Sequence, residues 1–445
     1  MFCSIFCHTL TENLETFMKF QCYTLGCKVN QYETQAMEQQ LLSLGHEISQ
    51  ENCDLYIINT CTVTAVADRK NRTLIRRIRR EHPHAVIGVC GCYAQISTEE
   101  VEALGVDVIS GSGGREEFIQ LLLQAQREKQ IIKVDQALKR RTFERLPAGG
   151  LSQRTRAMLK VQDGCSNFCS YCIIPYARGP VRSLPLTQAV EDTIHLASLG
   201  YREIVVTGIE IASWGWDLKD GSTFTQLCEA ICQAAPQVRI RLGSLEPRII
   251  DEGFCRVMAK YENFCPQFHL SLQSGSDSVL KRMRRKYDSA RYYQSVELLK
   301  TYFPQCAITT DLIVGFPGET EEEFQESLSF ARKCGFAAMH IFPYSKREGT
   351  PAAAMPHQIL KSQKAQRATL GAKVAEELRE AFDTALLGTV QEVLFEQPEG
   401  EFFTGHGRNG VKVYAKGENL SNTLCLVRPT ALREDGMEGE LLERR

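Results

Sequence analysis

The chain is poor in tryptophan, has no long hydrophobic run and carries no excess of either charge. Trp occurs only 2 times in 445 residues. No stretch approaches the roughly 18 consecutive apolar residues of a membrane-spanning helix, so no membrane partner is expected. Lys and Arg number 52 against 54 Asp and Glu, a formal net charge of −2. No global field therefore draws nucleic acid, and any RNA contact must come from local basic patches. Residues 1–17 lack a basic start, a sustained apolar core and a small-residue cleavage site, which excludes a signal peptide and points to a cytoplasmic protein. They read as an extension before a natural start at Met18, and Cys3 and Cys7 within them carry no expected function. GxSxG, HExxH and P-loop motifs are absent, so no serine-hydrolase, zinc-peptidase or P-loop chemistry competes.

What the chain does have is cysteine, 18 in all. It is too long and too rich in core residues for a small disulfide scaffold. The cysteines therefore point to a reducing compartment in which some of them ligate metal.

Hydrophobic content of 43% and charged content of 24% are ordinary for a globular protein. One core stops growing at roughly 250–300 residues, so two or three domains are expected. Residues 18–135 alternate short apolar runs with helical patterns. Phe20–Leu25, Leu55–Asn59, Ala85–Val89 and Val106–Ile109 read as buried strands, and Gln35–Leu44, Val66–Arg80 and Arg115–Gln126 as amphipathic helices. This predicts an open parallel α/β sheet. Residues 136–150 begin a polar, basic linker stretch that reaches Arg156.

Residues 151–375 repeat the alternation. Strands are predicted at Ala157–Val161, Glu203–Thr207, Arg239–Gly243, Phe268–Leu272, Ala307–Val314 and Ala338–Phe342, each followed by a helix. Six βα units fit a partial (β/α)6 TIM-like barrel, whose sites lie at the C-terminal ends of the strands. A linking helix is expected at 366–387. Residues 376–440 then carry short runs, Thr389–Phe395, Phe402–Gly405, Val411–Ala415 and Thr423–Pro429, separated by Gly-rich turns, and read as a small β-barrel.

The strongest single signal is Asp163-Gly164-Cys165-Ser166-Asn167-Phe168-Cys169-Ser170-Tyr171-Cys172, just after the first barrel strand. It supplies three thiolates rather than four. A 4Fe–4S cluster takes one ligand per iron, so three ligands leave one iron open to chelate a cofactor. A structural zinc site or unrelated core cysteines are the alternatives, but zinc wants four ligands in paired spacing. Cys228 and Cys232 share a CxxxC spacing, yet they sit on an apolar helix face and read as core.

This motif resembles that of the radical S-adenosylmethionine (SAM) superfamily. The resemblance implies that Cys165, Cys169 and Cys172 hold a 4Fe–4S cluster whose open iron binds SAM. The reduced cluster would cleave SAM to a 5′-deoxyadenosyl radical, with an electron donor such as flavodoxin or ferredoxin. Tyr171 matches the aromatic position before the last cysteine.

Three further cysteines follow predicted strands of the first sheet, in Leu25-Gly26-Cys27-Lys28-Val29-Asn30, Asn59-Thr60-Cys61-Thr62-Val63 and Cys90-Gly91-Cys92-Tyr93-Ala94-Gln95. By spacing alone, separated cysteines are more often core residues, although parallel sheets do bind ligands at strand ends. The three strings together resemble the N-terminal domain of the methylthiotransferases. That resemblance implies a second 4Fe–4S cluster on Cys27, Cys61 and Cys92, with Cys92 preferred to the adjacent Cys90.

The same resemblance implies SAM-contacting positions along the barrel. They are Gly208 and Glu210 after the second strand, Ser244 and Glu246 after the third, Gln273 and Ser274 after the fourth, and Asp311 and Gly315 along and beyond the fifth. The family more often has His or Asn where this chain has Glu210. Ser244-Leu245-Glu246-Pro247 reads equally as a strand-ending turn.

Three basic stretches, Arg69–Arg80, Lys139–Arg145 and Lys281–Lys286, are candidate phosphate contacts, although by charge pattern alone the first is better read as a solvated helix face. A small C-terminal β-barrel is a recurrent nucleic-acid-binding form, and residues 376–437 resemble the TRAM domain that binds tRNA. The string Tyr23–Gln31 is most similar to the MtaB branch of the family. It implies methylthiolation of C2 of N6-threonylcarbamoyladenosine at position 37 of tRNA. The alternatives are methylthiolation of isopentenyladenosine or of a ribosomal-protein aspartate, or a non-catalytic Fe–S RNA-binding protein.

Overall fold

The computed structural model describes residues 17–125, 129–149 and 155–445. The expectations for residues 1–16, with Cys3 and Cys7, for Gln126 and for the Gly150 end of the linker lie outside the described residues. The architecture is mixed α/β, with a parallel sheet, a partial parallel barrel and a closed C-terminal β-barrel.

The first sheet has six parallel strands in the order Glu47–Ile48, Lys19–Thr24, Leu55–Thr60, Val86–Gly91, Val108–Ser110 and Ile131–Lys133. Both faces are covered. Leu55 and Ile57 enter a core with Phe20, Met37 and Phe118, while Tyr56 and Ile58 enter another with Ile75, Ile78 and Ile87. Two-sided burial is why the central strands read as unbroken apolar runs. The two edge strands carry too few residues to show a period. The first helix spans Lys28–Ser43 and so begins earlier than the predicted Gln35. Its first turns bury Asn30, Glu33 and Thr34, polar residues that mask the apolar spacing of Val29, Tyr32, Ala36 and Met37.

The partial barrel takes its strands in sequence order: Arg156–Lys160, Glu203–Thr207, Arg239–Leu242 continuing as Ser244–Leu245, Gln267–Leu270, Ala307–Val314 and Ala338–Pro343. All pair in parallel. Register aligns Arg156, Glu203 and Arg239, and two residues further on Met158, Val205 and Arg241. The alternating residues Leu159, Ile204, Val206, Ile240 and Leu242 belong to the main apolar core. A closed TIM barrel fills its centre with branched apolar side chains. Here Arg156, Met158, Val205 and Arg241 instead line a cavity of about 420 Å³ together with Lys28. Cys228 and Cys232 lie in the apolar core, as expected of that helix.

The linking helix spans Lys361–Leu386 and packs on the last barrel strand, where Gly371 lets Ile341 approach. The C-terminal barrel closes in the order Gln391–Glu399, Phe402–Gly407, Lys412–Ala415, Gly436–Arg444 and Thr423–Arg433. Val393, Phe395, Val413, Ala415, Cys425 and Val427 form its core. The strand Gly436–Arg444 is not legible in the sequence, because among its charges and glycines Met437 is the one buried side chain. This barrel sits under the N-terminal ends of the parallel strands. Arg156 donates to Glu396 Oε1 at 2.7 Å, Arg241 Nη2 to the Gly407 carbonyl at 3.0 Å and Arg239 to the His406 carbonyl at 3.2 Å. The opposite, C-terminal mouth is left free for chemistry.

Candidate functional site

Three neighbouring strands of the first sheet end in cysteine loops. Cys27 follows Lys19–Thr24, Cys61 follows Leu55–Thr60, and Cys92 opens the helix after Val86–Gly91. Adjacent parallel strands lie about 4.8 Å apart, so the three thiols converge at one sheet end. Two glycines make the convergence possible. At Gly26, φ 112°, a Cβ would lie 2.6 Å from Cys61 Cβ, and at Gly91, φ 99°, it would lie 2.4 Å from the Thr60 carbonyl oxygen. Asn30 Nδ2 ties the loops by donating to the carbonyls of Leu25 at 2.8 Å and Thr60 at 2.9 Å. Asn71 Nδ2 donates to the Cys61 carbonyl at 2.6 Å. Cys90 instead lies within the strand and is buried in the core of Phe20 and Phe118. The structure thus places Cys92, and not Cys90, among the loop ends.

The other trio comes from one loop at the mouth of the partial barrel. The Cys165 amide donates to the Gly179 carbonyl and the Cys172 amide to the Cys169 carbonyl, each at 3.0 Å. Phe168 takes a left-handed φ of 47° to turn the loop between Cys165 and Cys169. Gly164, φ 75°, allows the Pro180 carbonyl to approach, since a Cβ there would sit 1.9 Å from its oxygen.

None of these six thiols is in a disulfide. Burial, and next the neighbouring Cys92 thiol, pushes Cys61 up to about 12. Burial, and next Cys169, pushes Cys172 up to about 12. Among the described residues no three His, Cys, Asp or Glu side chains could clasp a single metal ion. A cluster of several irons, by contrast, spaces its ligand sulfurs by its own bulk. Crowded, desolvated thiols become stable thiolates only beside a cationic centre. Three soft sulfurs in each trio suit a 4Fe–4S cluster with one open iron better than a hard cation.

A cleft of about 280 Å³ opens beside the barrel loop, and of the six thiols only that of Cys172 lies in its wall. Its walls include Val63 and Thr64 from the Cys61 loop, Tyr171 and Cys172 from the barrel loop, and Gln273, Asp311 and Phe342 from the strand ends. Gln273 and Asp311 are therefore brought together, locked by the Gln273 amide donating to the Asp311 carbonyl at 2.9 Å. Gln273 adopts φ 69° to do so. Glu210 stands next to the loop, with Asn167 Nδ2 donating to Oε2 at 3.4 Å and a buried Oε1 that has no partner. Burial raises its carboxyl to about 7 against the opposing pull of Arg285. Glu246 is occupied by Arg248, whose Nε donates to it at 2.9 and 3.1 Å, and Ser244 is an exposed strand residue level with His269.

Three expected contacts are placed differently. Ser274 is fully buried, its hydroxyl 3.2 Å from Ser327 Oγ on the flanking helix. A Cβ at Gly315 would strike Lys364 Cγ at 2.5 Å, and its amide donates to Glu319 Oε2 at 2.6 Å, so this glycine makes room for the linking helix. At Gly208 the close approach is to Ile211 and Gln162, at 2.7 and 2.9 Å from where a Cβ would lie. All three glycine and serine motifs follow strands, where packing of the next helix makes the same demand on the backbone as a ligand would.

Sequence reasoning also missed two arginines. Arg285, grouped with the basic stretch Lys281–Lys286, turns inward, donates to Cys169 Sγ at 3.3 Å and stacks 4.8 Å over Tyr287. Arg178 is fully buried and donates to Cys92 Sγ at 3.3 Å. In the other basic stretches Arg79 pairs with Asp107, Arg72 with Glu100, Arg140 with Asp135 and Arg145 with Asp192. Those four are structural ion pairs rather than free phosphate contacts.

Residues 159–331 match the family described as the radical SAM superfamily, and residues 19–111 match uncharacterized protein family UPF0004. The fold resembles that of the radical SAM methyltransferase TsrM from Kitasatospora setae, with TM-score 0.54 and 15% identity, covering 76% of this chain and 77% of that one. The partial barrel and the cysteine loop at its mouth thus define a radical SAM enzyme, with SAM and 4Fe–4S as its cofactors. Threonylcarbamoyladenosine tRNA methylthiotransferase MtaB of Bacillus subtilis is 41% identical over 404 residues, 89% of this chain and 90% of that protein. The Chlamydia pneumoniae protein of the same name is 36% identical over 95% of this chain and 98% of its own length. A tRNA-2-methylthio-N(6)-dimethylallyladenosine synthase of Caldicellulosiruptor saccharolyticus is 35% identical over 85% and 82%. The chain belongs to the radical SAM methylthiotransferase family.

Proposed function

We propose that this enzyme methylthiolates C2 of N6-threonylcarbamoyladenosine at position 37 of tRNA, giving the 2-methylthio nucleoside. The observation that carries this reading is a cleft whose wall holds Cys172 together with Val63 and Thr64, the residues that follow Cys61. In this reading Cys165, Cys169 and Cys172 hold the SAM-binding cluster, and Cys27, Cys61 and Cys92 hold the second. When bound, the clusters supply an electron for SAM cleavage and a site for the sulfur that is transferred. The target carbon is sp², and its proton is too weakly acidic for any side-chain base, which is why radical chemistry is needed.

The protein's own residues have positioning tasks. Glu210, with its unpartnered buried oxygen, is a natural acceptor for the ammonium of SAM's methionine part. Gln273 and Asp311 form the opposite wall. The tyrosine ring of Tyr171 and the apolar Ile313 and Phe342 help keep water from the radical. The division at 18–135, 136–150, 151–375 and 376–440 assigns the second cluster, a linker, the SAM barrel and the tRNA-binding TRAM domain in turn. A flavodoxin or ferredoxin supplies the electron in the cytoplasm, where tRNA is found.

The test is nucleoside analysis of tRNA from cells lacking the gene. The 2-methylthio form of threonylcarbamoyladenosine should disappear and its unmodified precursor accumulate. An unchanged level, or loss of the dimethylallyladenosine product instead, contradicts the substrate named here.

A further inference from the structure

Beneath the strand-borne trio lies a buried ionic cluster that neither sulfur transfer nor SAM binding by itself requires. Glu33 and Asp163 are its carboxylates, and Lys160, Arg115, Arg178 and Arg182 its cations, all buried. Four positive charges meet two negative ones, with Glu144 at the margin accepting from the Arg115 amide. Buried charge left uncompensated is costly, so an anionic neighbour is implied. Glu144 offsets part of this excess at its margin, and on the side of Arg178 the further group that a metal cluster would hold as an anion is the cysteine trio, through Cys92.

Arg178 is the member that reaches it. Its Nε donates to Cys92 Sγ at 3.3 Å. One terminal nitrogen donates to Asn30 Oδ1 at 2.7 Å, and that same oxygen lies 3.7 Å from Cys27 Sγ. Glu33 accepts from both terminal nitrogens and fixes the fork. The backbone of Arg178 belongs to the short helix Ile174–Arg178 that follows Cys172, and the next carbonyl, Gly179, accepts from the Cys165 amide at 3.0 Å. One dipeptide thus grips both trios, by side chain on one side and by backbone on the other.

We propose that Arg178 is a positioning residue that couples the two metal centres. It fixes their mutual placement and, as a charged donor to a ligand sulfur, makes the Cys27–Cys61–Cys92 centre easier to reduce. Hydrogen bonds to cluster sulfurs and nearby net charge are established determinants of Fe–S potential. The inference rests on the ligand assignment proposed above.

The test uses the full chain carrying Cys165→Ala, Cys169→Ala and Cys172→Ala, so that only the strand-borne centre remains, with arginine labelled by ¹⁵N. Pulsed EPR of the reduced centre should show a ¹⁵N coupling that vanishes in Arg178→Lys. Arg178→Gln should lower the midpoint potential by about tenfold in the reduction equilibrium, roughly 59 mV for one electron, with Arg178→Lys recovering part of it. Iron present with no arginine coupling in the labelled protein overturns the role of Arg178 alone. Absence of iron from this chain overturns the ligand assignment as well. The labelled-parent spectrum decides the matter even if Arg178→Gln fails to fold.

Discussion

Cys165, Cys169 and Cys172 come from one loop, whereas Cys27, Cys61 and Cys92 come from the ends of three strands. The loop trio is contiguous in sequence, with the Cys172 amide bonded to the Cys169 carbonyl inside the loop and Gly179, Met283 and Arg285 bracing it from outside. The strand trio exists only when the sheet is in register, because its loops meet through Gly26, Gly91 and Asn30. A local motif can lose its metal and leave the fold standing. A trio assembled from distant segments shares its integrity with the sheet and with the ionic cluster below it.

Cys165→Ala should separate the two trios most sharply. Formation of 5′-deoxyadenosine from SAM should fall by about a hundredfold or more. The midpoint of thermal unfolding should hardly change, because Cys165 is only partly buried in its loop. Undiminished 5′-deoxyadenosine would show that the loop does not hold the SAM-cleaving centre.

Glu33→Gln should do the reverse, weakening the fold under the strand trio. Removing one partner of a buried ion pair costs about 3–5 kcal/mol. Burial by itself would raise the Glu33 carboxyl. The guanidiniums of Arg178 and Arg115 and the ammonium of Lys160 outweigh it and hold the group well below 4.5. A depressed carboxyl contributes stability above its unfolded value, and that stability is lost as pH falls through the folded one. Unfolding of the parent should therefore become easier below about pH 4.5, while the variant lacks this component at every pH. Parallel stability–pH curves for the two proteins would contradict this.

The same contrast explains what the sequence reveals. The loop trio is legible because its three cysteines are close in sequence and their spacing by itself suggests an iron–sulfur site. The strand trio has no such spacing, and only the likeness of three short strings to a known family singled it out from core cysteines. Arg178 was invisible, since its partners Glu33 and Cys92 are set by tertiary folding and no local pattern marks it. Arg285 was hidden among Lys281–Lys286, where a run of positive charge suggests solvent although one member points to Cys169. Ser274 and Gly315 lie in matching motifs, yet the Ser274 hydroxyl faces Ser327 and Gly315 makes room for Lys364, partners that no local pattern announces. The longer parallel strands are legible because they are buried along their length, while the short edge strands Glu47–Ile48 and Ile131–Lys133 and the charged last strand of the C-terminal barrel are not.

The most direct measurement is iron and product analysis of the full chain with Cys27, Cys61 and Cys92 all changed to Ala. The account predicts about half the iron of the parent, one 4Fe–4S cluster of two, with 5′-deoxyadenosine still formed from SAM and no methylthiolated tRNA. Full iron content, or methylthiolated product from this variant, would contradict it.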